Sequence, residues 1–193
     1  MSADEVSVAE LLAHIQHHTA SEFSYQETRK LELSTTAWQG QGRMLSGAEG
    51  SLVKLQLSPR RIIMASNQQQ MYYWDAEQKQ RHSGTVEDIG EAAEQITLLR
   101  SIMQGQMNEL SASYNISAKK QGKQWYLRVS PKAEHREENR PTIEFSGDER
   151  NNKQRVIITG DDGESTEYQM QKTADGSPVE KAIQDLLREA KGE

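Results

Sequence analysis

The sequence contains no cysteine in its 193 residues. Disulfides, thiolate nucleophiles and cysteine-ligated zinc are therefore excluded. No apolar run approaches the ~18 residues of a membrane-spanning helix. A basic amino-terminal region is also missing, since Ser2-Ala3-Asp4-Glu5 is acidic where a signal peptide would start positive. Two origins fit that start: a mature exported chain with an added Met1, or a cytosolic chain. Positive charge is in deficit, with 23 Lys and Arg against 29 Asp and Glu and a formal net charge of −6. That balance argues against nucleic acid as a partner, because binding a polyphosphate requires a cationic face. Arg60-Arg61 and Lys119-Lys120 are only doublets and read as solvated surface pairs. Apolar residues are scarce too, at 34%, or about 41% with the 13 glycines counted, against a usual value of about 45–50%. So few apolar residues must be concentrated in one place to form a core.

Catalytic and metal signatures are equally sparse. There is no Gly-x-Ser-x-Gly elbow. Gly40-Gln41-Gly42 is too short for a dinucleotide loop and leads into a strand. Asp161-Asp162-Gly163 lacks the further ligands of a calcium loop and reads as a hairpin turn. His14, His17 and His18 sit at i, i+3 and i+4, and a spacing of four places two imidazoles on one helical face, but the sequence marks out no acidic partner as the third ligand. The expectation is a protein without metal, cofactor or catalytic residues.

What is present is strand after strand, interrupted once. Residues 5–20 read as an amphipathic helix with Val8, Leu11, Leu12 and Ile15 on one stripe. Residues 22–33 alternate, with Phe23, Tyr25, Leu31 and Leu33 on one side and Glu27 and Arg29 in the middle of that same side. Residues 37–45 place Trp38, Gly40, Gly42 and Met44 in phase, and the two glycines leave room for a bend or a close neighbour. Strands follow at 52–57, 61–65 and 70–74. Over 86–113 the period changes to helical: Ile89, Ala93, Ile96, Leu99 or Arg100, and Met103 trace one stripe, widened by Leu98, Ile102, Met107 and Leu110. Gly105 is expected to break or bend that passage. Strands resume at 114–120, 124–130, 141–146, 154–159 and 165–172, with a polar loop at 132–140. Pro178 starts a last helix, 179–190, with Ile183, Leu186 and Leu187 inward. No internal repeat or linker divides residues 1–193, so one domain is expected. The fold class is α+β, a strongly curved antiparallel sheet covered by helices.

Tyr25-Gln26-Glu27-Thr28-Arg29, Leu33, Gly40-Gln41-Gly42-Arg43-Met44, Leu52-Val53-Lys54 and Pro59 together resemble a divergent branch of the LolA-like outer-membrane lipoprotein carriers. The resemblance extends to about Lys172. It implies an incomplete β-barrel plugged by helices and a periplasmic location, with a signal peptide already removed. It also implies a monomer that carries lipoprotein or lipid cargo between an inner-membrane release complex and an outer-membrane acceptor, without catalysis. In that family an Arg-Pro pair after the Gly-x-Leu strand holds the helical lid shut. Gly47 and Ala48 occupy those positions here, which leaves Arg29 and Arg43 as candidate latches. Strand parity and the helical stripe nominate Trp38, Met44, Leu55, Leu57, Ile63, Met71, Tyr73, Ile96, Leu99, Met103 and Met107 to line an acyl cavity. Tyr25, Glu27 and Arg29 are the polar groups expected beside the ligand. The alternative is an enzyme acting on a hydrophobic small molecule in the same cavity.

Overall fold

The order of elements is β1 (Asp4–Glu5), α1 (Val8–Ile15), β2 (Ser21–Lys30), β3 (Trp38–Ser46), β4 (Leu52–Ser58), β5 (Ile62–Ser66), β6 (Met71–Asp75) and β7 (Gln80–Gly84). Then come α2 (Val86–Ile89), α3 (Glu91–Met103), α4 (Met107–Ser113), β8 (Tyr114–Gln121), β9 (Gln124–Pro131) and a short 3-10 helix (Ala133–Glu138). The chain ends with β10 (Thr142–Asp148), β11 (Lys153–Thr159), β12 (Ser165–Asp175) and α5 (Ser177–Lys191). This computed structural model describes residues 4–5, 7–16, 19–67, 70–104, 106–138 and 140–193; for 4–5, 86, 91–94, 107–109 and 136–138 only the backbone is described. No described helix is long and apolar enough to cross a membrane.

All twelve strands belong to one antiparallel sheet, in the order β1-β8-β9-β10-β11-β12-β2-β3-β4-β5-β6-β7. Neither edge meets the other, so the barrel is incomplete. The amino-terminal strand β2 and the carboxy-terminal strand β12 pair over ten positions in the middle of the order. Register shifts occur between Lys172 and Ala174 and between Gln41 and Gly42. Bulges of this kind bend a strand and increase its twist, as a curled sheet requires.

The sheet has two buried faces. The inner face gathers Phe23, Tyr25, Met44, Leu52, Met71, Leu127, Phe145 and Tyr168 beneath the apolar stripes of α1, α3 and α4. Ser7 caps α1, its side chain accepting from the backbone N–H of Glu10 at 3.1 Å. The outer face of β3–β6 carries a second core: Leu45, Val53, Leu55, Ile63 and Ala65 under Val179, Ile183, Leu186 and Ala190 of α5. Arg61 forms a two-pronged pair with the Glu189 carboxylate of α5, and Arg81 of β7 donates to the carbonyls of Ala190 and Glu189 at 3.1 and 3.3 Å.

Three differences from the sequence reading have local causes. Strand β7 (Gln-Arg-His-Ser-Gly) has no apolar alternation; it forms because Asp75 accepts from the N–H groups of Glu77 and Gln78 and closes a hairpin from β6. The helical passage is three helices, divided at Gly90, where φ is +94°; Gly105 lies outside the described residues. Residues 4–5 are a strand on β8, not the start of α1.

Gly42 is fixed by close approach. A Cβ there would sit 1.9 Å from the Leu55 carbonyl oxygen of β4. Backbone cannot move aside as a flexible side chain can. Gly42→Ala is therefore expected to unpair the β3–β4 ladder and cost about 3 kcal/mol or more of folding stability. Urea unfolding measures this, and a cost below ~1 kcal/mol contradicts the account.

Candidate functional site

Polarity changes along the inner face in one direction. On β2 the inward residues run Phe23, Tyr25, Glu27, Arg29; on β4 they run Leu52, Lys54, Gln56; on β6 they run Met71, Tyr73, Asp75. These three strands are parallel to one another across the intervening antiparallel β3 and β5, so polarity rises in the same direction along each. Leu52, Lys54 and Gln56 lie level with Met71, Tyr73 and Asp75, whereas β2 is offset by one inward position, with Phe23 level with Lys54.

The apolar end is closed. Met44, Leu52, Met71, Ile96, Leu99, Ile102 and Met103 are all buried in one cluster between sheet and α3. The expected open hydrocarbon hollow is therefore filled here by the protein's own side chains. Arg100 of α3 fastens the lid at this end. It is 8% exposed and donates to the carbonyl oxygens of Asn67 at 3.2 Å and Gly50 at 3.4 Å, in the turns before β6 and β4. The candidate latches behave differently: Arg29 is held by Glu27, and Arg43 lies on the outer face near Glu22 at 3.4 Å. The helix thus grips the turns through its own arginine, where Gly47 and Ala48 offer none. Arg100→Met is expected to cost about 2 kcal/mol, the range of a charged hydrogen bond, and to speed amide exchange over 96–103 by ~30-fold. Unchanged exchange of those amides would remove Arg100 as the latch.

The polar end is open. A hollow of about 600 Å³ is bounded by Arg29, Trp38, Lys54, Gln56, Arg60, Ile62, Met64, Tyr73 and Glu77. A second, of about 200 Å³, shares Arg29, Lys54 and Met64 with it and reaches Ile96 of α3 and Tyr168 of β12. The first lies within the range of small-molecule sites. Another concavity, of about 670 Å³, lies on the outside of the sheet. Outward polar residues such as Gln26, Gln41 and Gln169 line it together with Leu57 and Tyr126, and no helix covers it.

An ion cluster forms the floor of the inner hollow. The Glu27 carboxylate, whose side chain is 0% exposed, accepts from Arg29 Nε at 2.6 Å and pairs with Lys54 Nζ at 2.7 Å. Lys54 also donates to the Tyr168 hydroxyl at 2.9 Å and lies over the Tyr168 and Tyr25 rings. Lys54 and Glu27 sit on strands separated by β3, roughly 10 Å apart. The register puts the bare Gly40 and Gly42 opposite Glu27 and Tyr25, so no side chain blocks the lysine's path. Burial lowers the Lys54 pKa, partly offset by the charge and hydrogen bond of Glu27. Burial raises the Tyr168 and Tyr25 phenols, with the Glu27 charge adding to the effect. Both effects favour the neutral phenols, which act here as dipoles. At the rim, the Arg29 guanidinium stacks on Trp38 at 4.4 Å, and Arg60 Nε meets Asp75 at 3.0 Å.

The structure brings Tyr25, Glu27, Arg29, Trp38, Met44, Met71, Tyr73, Ile96, Leu99 and Met103 together on the inner side. Leu55, Leu57 and Ile63 are corrected. Leu55 and Ile63 lie under α5 on the outer face, and Leu57 is 49% exposed on that same face. Both faces of β4 and β5 are buried, so apolar alternation could not say which faced inward. The side chain of Met107 lies outside the described residues. Lys54, Gln56, Arg60, Met64, Tyr168 and Arg100 went unrecognised as part of the site. Glu27 was the available signal, because an acid amid an apolar face demands a buried cation.

His14 Nε2 lies 3.2 Å from Glu149, which also meets Lys120 at 2.7 Å, while His17 and His18 lie outside the described residues. No three potential metal ligands gather among the described side chains.

A family model described as "Outer membrane lipoprotein carrier protein LolA" matches residues 20–183. No curated protein matches the sequence. Among solved structures, that of MucB in complex with MucA(peri) aligns with 90% of this chain at 12% identity and a TM-score of 0.40. The chain spans 57% of the length of that MucB chain.

Proposed function

The chain belongs to the LolA family of outer-membrane lipoprotein carriers, and from that premise we propose that it is a periplasmic carrier of acyl chains. The cargo is a lipoprotein or another lipid, and its chain lies between the inner sheet face and α3. One observation carries this reading: the hollow is walled by Met64 and Tyr73, which pack with the methionine-rich cluster beneath α3, a helix that Arg100 pins at the far end. Methionine reshapes around irregular contents at little cost. Lifting α3 would exchange contacts with Met44, Met71 and Met103 for contacts with a chain, at about 0.8 kcal/mol gained per methylene buried.

No chemical step is part of this reading. Both oxygens of Glu27, the acid an enzyme would use here, are held by cations. Receipt from an inner-membrane release complex and delivery to an outer-membrane acceptor, as a monomer, belong to the same proposal. Native mass spectrometry of protein taken from the cell envelope is expected to show a bound species of fatty-acyl mass, displaceable by a fluorescent fatty acid. Protein that carries nothing and takes up no amphiphile contradicts the reading.

A further inference from the structure

We propose that the inner hollow selects amphiphiles whose polar end is an anionic oxygen group, a carboxylate or a phosphate. This rests on the carrier reading and names its cargo class. The inner face is itself an amphiphile's template. Apolar contacts lie at the α3 end and charge lies at the open end, so a chain entering tail-first leaves its head group among Arg29, Lys54 and Arg60.

The donors at that end are only partly used. Arg29 engages Glu27 through Nε, and Arg60 engages Asp75 through Nε. The terminal nitrogens of both guanidiniums have no hydrogen-bond partner among the described residues, and each side chain is about two-fifths exposed, at 42% and 37%. Lys54 spends two of its three N–H groups on Glu27 and Tyr168, and the third is likewise without a partner there. Glu27 and Asp75 lie beneath these cations with side chains fully buried, so the hollow meets the cations first. Glu77 lines the larger hollow at its rim, and Asp162 and Glu164 line the smaller one that shares Arg29 and Lys54. Spare guanidinium nitrogens accept a planar carboxylate or a phosphate in two-pronged fashion, whereas an alcohol gains little from them. If the cluster served only to fix the sheet's interior, as buried ion pairs can, head-group charge would not affect affinity.

The test compares three ligands of equal chain length, laurate, dodecyl phosphate and dodecanol, displacing a neutral naphthylamine probe from the intact protein below their aggregation concentrations. One or both acids should displace the probe at least ~10-fold more effectively than dodecanol, and whichever does identifies the head group. Arg60→Gln should narrow that ratio several-fold. Equal displacement by all three, or a preference for the alcohol, overturns the inference and leaves the carrier reading standing. If none of the three binds, both fall together. The comparison on the unaltered protein decides the matter even if the variant does not fold.

Discussion

Glu27→Ala is expected to destabilise the fold by about 3–5 kcal/mol, as removal of one partner from a buried ion pair generally does. The carboxylate is fully buried and pairs with two cations, one of them Lys54, whose side chain is only 5% exposed. With the carboxylate gone, the ammonium keeps only the Tyr168 hydroxyl and two aromatic faces. None of these offsets the loss of its counter-charge for an ammonium so largely removed from water. Removing both partners together reverses the outcome. Glu27→Gln combined with Lys54→Met leaves no buried charge on that pair and is expected to lie within ~1 kcal/mol of the natural protein, or above it. Urea unfolding of the three proteins measures this directly. Equal losses in the single and double variants would mean that the cluster is not the coupled unit described above.

The second large effect lies on the opposite face. Ile183 of α5 is 3% exposed and packs over Leu45, Val53 and Ile63. Ile183→Ala is expected to cost about 2–5 kcal/mol, through lost transfer energy and the cavity left behind. That figure requires α5 to be an integral wall, held by its stripe and by the Arg61–Glu189 and Arg81 contacts. If the helix were loosely appended, the site would collapse or open to water and the cost would fall below ~1 kcal/mol. Thermal unfolding with a parallel measurement of solubility separates the cases, because an exposed β4–β5 face would also promote association.

The sequence made the architecture readable because β2, β9 and β12 each bury one face, so their alternation states which side is inward. It could not do so for β4 and β5. There Val53, Leu55 and Ile63 are as buried as Leu52, and the inward side carries Lys54 and Gln56, which look like solvent-facing residues. The orientation depends on α5, which lies more than a hundred residues downstream. The polar half of the site was hidden for the same reason. Lys54 is a site residue only because it crosses over Gly40 and Gly42 to Glu27, a contact between three strands that no local pattern encodes. Arg100 was legible as a member of the helical stripe, but its role depends on two turns that the fold brings beneath it.

The claim on which all of this turns is that a lipid chain enters between the inner sheet face and α3. A fatty acid with a photoreactive group near its tail, irradiated in complex with the protein and mapped by peptide mass spectrometry, tests it most directly. The expected labels fall on α3 between 96 and 103 and on Leu52, Met64 or Met71. Labelling confined to the outer concavity, at Leu57 or Tyr126, would place the ligand on the wrong side of the sheet and contradict the account.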